Sequence, residues 1–420
     1  MERPVRVVIA GFLGLWSMFS LGLVSIACAP AGDSSTVRAE ERIEEGLKAL
    51  RGSRPDLARG DFAEALVEAP ADPTAAFGLA LSETLMLPAS PAARGTLKAL
   101  GLRAPVVEEE VFGPNGILAD LARGLESDAV RRTAYQALGL DSDETPDLRG
   151  LLARMPDSTT PAALATRARE LAAELVPIAS WFEAAAQPGF RMVVPGGLFH
   201  LDGDLVVGQG EAAALAGIVR TVRAGLLAVG SYRWDDRPLA PLASRSDAEV
   251  ATALSGIVWT AGSPTTLKSP SAELRRGLLR LNEALSLPPA EAAAPGAVVA
   301  WELLPTEGVD RVVALLTATL GALSGPTLLP DSRPATVLDL SAASTLPPAL
   351  PIDALVALED GGVGLRQGFL ADLTRGIAEP PLSMDPEPTP ALFVGGMPSD
   401  GWLGRWLDPV VTRFEADLGL

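Results

Sequence analysis

The sequence predicts a mainly α fold: helical hairpins at the N-terminal end, then an irregular helical domain with one small β-hairpin or meander inserted in it. Three observations lead there. Ala, Leu, Gly and Pro dominate; Ala and Leu favour helix, while 41 glycines and 36 prolines cut the helices into pieces. Apolar residues recur at helical spacing, as Leu164, Ala168, Leu171, Leu175, Ile178 and Phe182 do across 161–186. One stretch, 190–211, alternates and turns like strands instead.

With 420 residues, 48% of them apolar and only 20% charged, the chain can bury a sizeable core in two or three domains. The formal net charge is −18. That argues against nucleic acid as a partner, because phosphates must be neutralised by Lys and Arg. It also argues against broad adhesion to anionic lipid.

The elements follow in order. Arg3 and Arg6 precede an uncharged run from Val7 to Ala27, long enough to span a bilayer as a helix. The run ends in Ser25-Ile26-Ala27-Cys28, and Cys28 is the only cysteine. This tetrapeptide resembles the lipobox of bacterial lipoproteins, in which a small residue precedes the cysteine that becomes the lipidated N-terminus. The resemblance implies a signal peptide over 1–27, cleavage before Cys28, diacylglycerol on its sulfur and a lipidated tether over 28–38. The sequence after Cys28, "APAGDSSTV", is small and polar, as a tether should be. The other reading is an uncleaved anchor helix with an incidental cysteine. Ala29, where an Asp retains many such proteins at the inner membrane, favours the outer membrane, on its periplasmic or surface face. With its thiol acylated the chain has no disulfide, so packing alone holds it together.

Residues 44–81 carry Gly46, Ala58, Phe62, Ala65 and Pro70 in an order and spacing that resemble a tetratricopeptide repeat (TPR). The physics is consistent with that. Small residues let two antiparallel helices approach, Phe62 fills the gap, and Pro70 and Pro73 end the second helix. Asp72 then caps a helix over 74–87, with Ala76, Leu79 and Ala80 where a further repeat would begin. "LPASPAARGTLKALGL" does not continue the series. One repeat cannot bury its own face, and about three are needed for an independent solenoid. The TPR-like segment, taken as 39–145, is therefore read either as a peptide-binding groove or as a hairpin used for packing.

The remainder, 146–420, reads as one mainly helical domain. Helices are predicted over 116–124, 127–139, 146–154, 161–186, 210–230, 246–259, 270–286, 307–323, 351–359, 364–377 and 400–418. "TLPPALP" (345–351) and "EPPLSMDPEPTP" (379–390) are proline-rich connectors. Strands are predicted over 190–194, 198–201 and 204–207, with Asp202-Gly203 as a two-residue turn, and Glu211 opens the next helix. In the C-terminal stretch Trp402, Trp406, Val410, Phe414 and Leu418 share one helical stripe, which suits docking on the domain or lying on a membrane.

Chemistry is sparse. His200 is the only histidine, which excludes metal sites needing two or three of them and routes every histidine mechanism through position 200. There is no G-x-S-x-G elbow, P-loop, dinucleotide fingerprint or zinc spacing, and "GGVGLRQG" (361–368) lacks a phosphate-loop lysine. His200, Asp202 and Asp204 could converge on a ligand or a hard cation, or could simply decorate a hairpin. Asp235-Asp236, after Tyr232 and Trp234, reads as a loop at a helix end. No cofactor is expected. The overall pattern resembles bacterial TPR lipoproteins that help assemble outer-membrane machinery. That resemblance implies a membrane-anchored, non-enzymatic interaction or assembly factor with a protein partner and a helical groove. The alternatives are a binding protein for a small or lipidic ligand held between helices, and a hydrolase using His200.

Overall fold

The computed structural model describes residues 34–101, 152–195, 204–246, 264–287 and 306–328, with short pieces at 249–250, 253, 260–261, 330, 337–338, 356–359, 362–365 and 393–394. Among these the chain is mainly α, with eight α-helices and small antiparallel sheets.

Helix α1 (Ser34–Arg51) starts inside the stretch expected to be tether. It ends in a tight turn. Ser53 has φ of 53°, its N–H donates to Leu50 O at 2.9 Å, and the Arg54 N–H donates to Ala49 O at 2.9 Å. This is a Schellman ending with serine where glycine is usual. Only three residues then separate α1 from α2 (Pro55–Glu68), so the two helices fold back on each other.

Prolines, read from the sequence as helix breakers, act here mainly as helix starters. Five of the eight described helices open on proline: α2, α3 (Pro73–Met86), α4 (Pro91–Ala99), α5 (Pro161–Ala185) and α7 (Pro264–Ser286). A first-turn proline costs no hydrogen bond, and its φ is already helical. Three of these starts carry a side-chain cap just ahead. Asp72 Oδ1 accepts from Thr74 N and Ala75 N, both at 2.8 Å, while Ser90 Oγ and Thr160 Oγ1 accept from Ala93 N and Ala163 N at 3.1 Å. Because Pro264 supplies a start, α7 begins earlier than the expected 270 and runs through Pro270.

Phe62 is fully buried between two glycines. A Cβ on Gly46 of α1 would lie 2.9 Å from its ring, and one on Gly78 of α3 would lie 2.4 Å from it. Both helix backbones therefore press directly on the ring. Helix α3 is buried continuously from Ala75 to Ser82, with α1 and α2 on one side and α5 on the other. Phe77 meets Phe182 of α5 edge-on at 5.3 Å and Phe190 at 5.4 Å. The buried hydroxyls of Ser82 and Thr84 donate to Gly78 O and Ala80 O at 2.8 and 2.7 Å, so neither is left unsatisfied. One apolar core runs from Leu50 through α3 and α5 to Val219 of α6 (Gln209–Ser231).

Helices α5 and α6 are joined through β1 (Arg191–Val194) and β2 (Leu205–Gly208), paired antiparallel from Arg191↔Gly208 to Val194↔Leu205. The strands expected over 190–194 and 204–207 are thus present and paired with each other; the expected strand over 198–201 and its turn at Asp202-Gly203 lie outside the described residues. Glu211 sits in the first turn of α6, and its Oε2 accepts from Gly208 N at 2.8 Å. Helix α6 is long and apolar enough to cross a membrane, with mean hydropathy 1.6. It packs against α5, α7 and β2, which bury 39% of its apolar window. At the α6–α7 crossing a Cβ on Gly217 or on Gly277 would lie 2.8 Å from the other's carbonyl oxygen, so the two backbones are in contact. Helix α8 (Thr306–Ala322) packs on α7.

One expected helix is corrected. Within 351–359, residues Val356–Glu359 form a strand, β7, paired with β8 (Gly362–Leu365). The expected helix over 364–377 likewise loses its first two residues to β8. Ala and Leu propensity suggested helix, but Asp360-Gly361 lies between Glu359 and Gly362, a two-residue hairpin signal that outweighs it. The other short strands are β3 (Tyr232–Arg233) with β4 (Thr260–Ala261), and β5 (Thr327–Leu328), β6 (Val337–Leu338) and β9 (Phe393–Val394) in one sheet. The stripe from Trp402 to Leu418 lies outside the described residues.

Truncating Phe62 leaves a sealed void under α1 and α3. Phe62→Ala is expected to cost about 3–5 kcal/mol, read as a lower urea midpoint of unfolding, whereas Val67→Ala, on the exposed face of α2, is expected to change little.

Candidate functional site

Cys28, His200 and Asp202 lie outside the described residues. Asp204 is half-buried, immediately before β2. Gly46, Ala58, Phe62 and Ala65 come together at the α1–α2 contact, while Pro70 is exposed in the turn to α3. The side of α3 turned away from α1 and α2 is filled by α5. Asp235 caps a local turn, its Oδ1 accepting from Arg237 N at 2.8 Å.

A charged cluster that the sequence reading missed joins α5, α6 and α7. Arg220 of α6 is 5% exposed. Its Nε and Nη2 donate to Glu183 of α5 at 3.2 and 2.8 Å, and its Nη1 donates to Glu273 of α7 at 3.0 Å. The other oxygen of Glu273 takes Arg223 Nη1 at 2.6 Å and Arg276 Nη1 at 3.3 Å. Arg280 lies 3.7 Å from Glu183 through Nε and donates through Nη1 to Glu283 at 2.6 Å. Arg223 is held from behind, its Nε donating to Ala172 O at 3.0 Å. The Gly217–Gly277 contact is what brings α6 and α7 near enough for these short pairs.

The cluster keeps its charges. Burial would push the Glu273 carboxyl up, but hydrogen bonds from Arg223 and Arg220 outweigh it and hold the carboxyl below its ordinary value. Burial also works against the Arg220 charge, and Glu183 and Glu273 outweigh it, raising the guanidinium above its ordinary value. Groups held this way do not exchange protons near neutral pH, as a general acid or base must. They position helices and set a local potential. By contrast, burial alone pushes the Tyr232 hydroxyl up to about 12.

Beside the cluster lies a cleft of about 580 Å³, lined by Glu183, Arg220, Arg276, Leu279, Arg280 and Glu283 among others. Among the described residues no group of three or more His, Cys, Asp or Glu side chains could hold a metal ion. The signal for the cluster was present in the sequence. Arg220 and Arg223 interrupt an otherwise apolar helix, and Glu273, Arg276, Arg280 and Glu283 recur at three- and four-residue spacing on α7. Which carboxylate meets which guanidinium is a tertiary fact. Comparison with protein-family models, curated proteins and solved structures finds no match to this chain.

Removing the Glu273 carboxylate takes the shared partner from Arg220, Arg223 and Arg276, and only Arg220 keeps a second carboxylate, Glu183. Glu273→Ala is expected to cost about 3–5 kcal/mol in urea unfolding. The pH dependence has a definite sign. Because the folded-state carboxyl is held low, its contribution is fully present above about pH 4.3, the ordinary carboxylate value, and is lost as pH falls through the lowered one. Wild type is therefore expected to lose more stability than Glu273→Gln on acidification below about pH 4, in parallel urea titrations.

Proposed function

We propose that this chain is a lipid-anchored protein of the bacterial cell envelope, acting as a non-enzymatic interaction or assembly factor. The observation that carries the reading is Ser25-Ile26-Ala27-Cys28 at the end of the uncharged run, with five residues between Cys28 and the start of α1. A lipid on Cys28 would hold the helical domain within about 20 Å of the membrane, the reach of six extended residues. The first helical hairpin is a TPR-like unit used for packing. Supporting this is the ring of Phe62 seated between Gly46 and Gly78, with α5 filling the far side of α3 where an open peptide groove would otherwise lie. The partner surface is then on the outside of the domain. Charges locked in pairs, rather than poised near neutrality, support the non-enzymatic part of the reading.

Mass analysis of the mature N-terminus tests the anchor. The wild-type protein is expected to begin at Cys28 with a diacylglyceryl group, and Cys28→Ser is expected to remain unmodified and uncleaved at this site. An unmodified Cys28 in the wild type, or cleavage elsewhere, removes the basis of the proposal.

The only histidine gives a second test. His200→Gln is expected to leave protein level and complementation of a deletion strain unchanged. Loss of complementation at normal protein level would instead favour chemistry at His200.

A further inference from the structure

We propose that the cleft between α5, α6 and α7 binds a small amphipathic anion, in which a carboxylate or phosphate head is carried on a short apolar chain. This proposal is independent of the anchoring reading, and either can fail alone.

The cleft carries a surplus of positive charge. The named cleft wall holds three arginines against two glutamates, in a chain whose net charge is −18. Arg220 and Arg223 already occupy both oxygens of Glu273, at 3.0 and 2.6 Å. Arg276 is a third guanidinium on the same carboxylate, at 3.3 Å, and its side chain is 62% exposed. Neutralising Glu273 does not require it.

Arg276 and Arg280 are four residues apart on α7, which places them one above the other on the same face. In an isolated helix two like charges at that spacing are unfavourable. Each engages a glutamate through Nη1, Arg276 with Glu273 and Arg280 with Glu283. Among the described residues neither Nη2 has a hydrogen-bond partner. Two guanidinium edges are therefore available beside a buried and fixed third one. A planar guanidinium edge matches the paired oxygens of a carboxylate or phosphate, which makes an oxyanion the fitting head group.

The apolar part of the ligand follows from Leu279. It lines the same cleft, lies between the two arginines in sequence, and is 48% exposed. An anion with a short hydrocarbon chain would satisfy the two arginine edges and cover Leu279 at once. The volume of about 580 Å³ lies within the usual range of roughly 300–1,000 Å³ for small-molecule pockets.

Isothermal titration of the full chain in non-ionic detergent tests this, with hexanoate and hexyl phosphate as probes and neutral hexanamide as the control. At least one anion is expected to bind saturably, more weakly as salt is raised, with hexanamide showing no saturable heat. The tighter of the two anions identifies the head group. Arg276→Gln with Arg280→Gln is expected to weaken the anion at least tenfold. Should the double variant fail to unfold cooperatively, Arg276→Gln alone, at an exposed position, is expected to weaken it at least threefold. Leu279→Ser is expected to weaken the alkyl anion but leave inorganic phosphate unchanged. Absence of saturable binding by both anions, equal binding of hexanamide, or wild-type affinity in the arginine variants would overturn the proposal.

Discussion

The arrangement of α5, α6 and α7 depends on the pairing of Arg220. A guanidinium in the middle of an apolar helix costs several kcal/mol if it is buried without a partner. Here its carboxylates come from two other helices, Glu183 on one side and Glu273 on the other. Both reach it in one register only. Sliding α7 by a single turn, about 5.4 Å, would carry Glu273 out of hydrogen-bonding range. Apolar burial supplies most of the driving force for packing the three helices, but it is tolerant of small slides. The ion pairs are not tolerant, and they select one arrangement. Their short distances in turn require the α6 and α7 backbones to touch, which is why Gly217 and Gly277 face each other.

The N-terminal layer is joined by a different device. Phe62 is held by shape, in a slot made by the missing side chains of Gly46 and Gly78. Helix α3 carries that contact on one side and the Phe77 contact with Phe182 and Phe190 on the other. A buried aromatic seat of this kind is closed and offers nothing to a ligand. The charged joint differs because it reaches the surface, where Arg276, Leu279 and Arg280 extend it into the open cleft. One joint therefore only holds the layers together, while the other both holds them and presents chemistry to solvent.

Much of the local structure was legible in the sequence, because local chemistry specifies it. Asp72 ahead of Pro73 marks a helix start, the stripe from Leu164 to Phe182 marks α5, and Glu211 marks the first turn of α6. The strands around 191–194 and 205–208 were also readable, from alternation and turn residues. The helix expected over 351–359 shows how local propensity misleads. Ala and Leu prefer helix by only a few tenths of a kcal/mol per residue, and a well-placed two-residue turn reverses that preference. The charged cleft was not legible as a site. Arg220 and Arg223 stand out in α6, but their partners lie 37 and about 50 residues away, and no periodicity reaches across that separation.

The acidity of α1 would constrain the proposed anchoring. Helix α1 presents Glu40, Glu41, Glu44 and Glu45 to solvent, and only Glu45 of these forms an ion pair among the described residues, with Arg42. A lipid on Cys28 would place this acidic helix nearest the membrane, within about two or three Debye lengths of it at physiological salt. An anionic leaflet would repel it. The lowest-energy placement then keeps the tether extended and turns the acidic face of α1 away from the lipid headgroups. At the full reach of such a tether salt would already screen most of the repulsion, so extension and orientation of α1 would relieve it together.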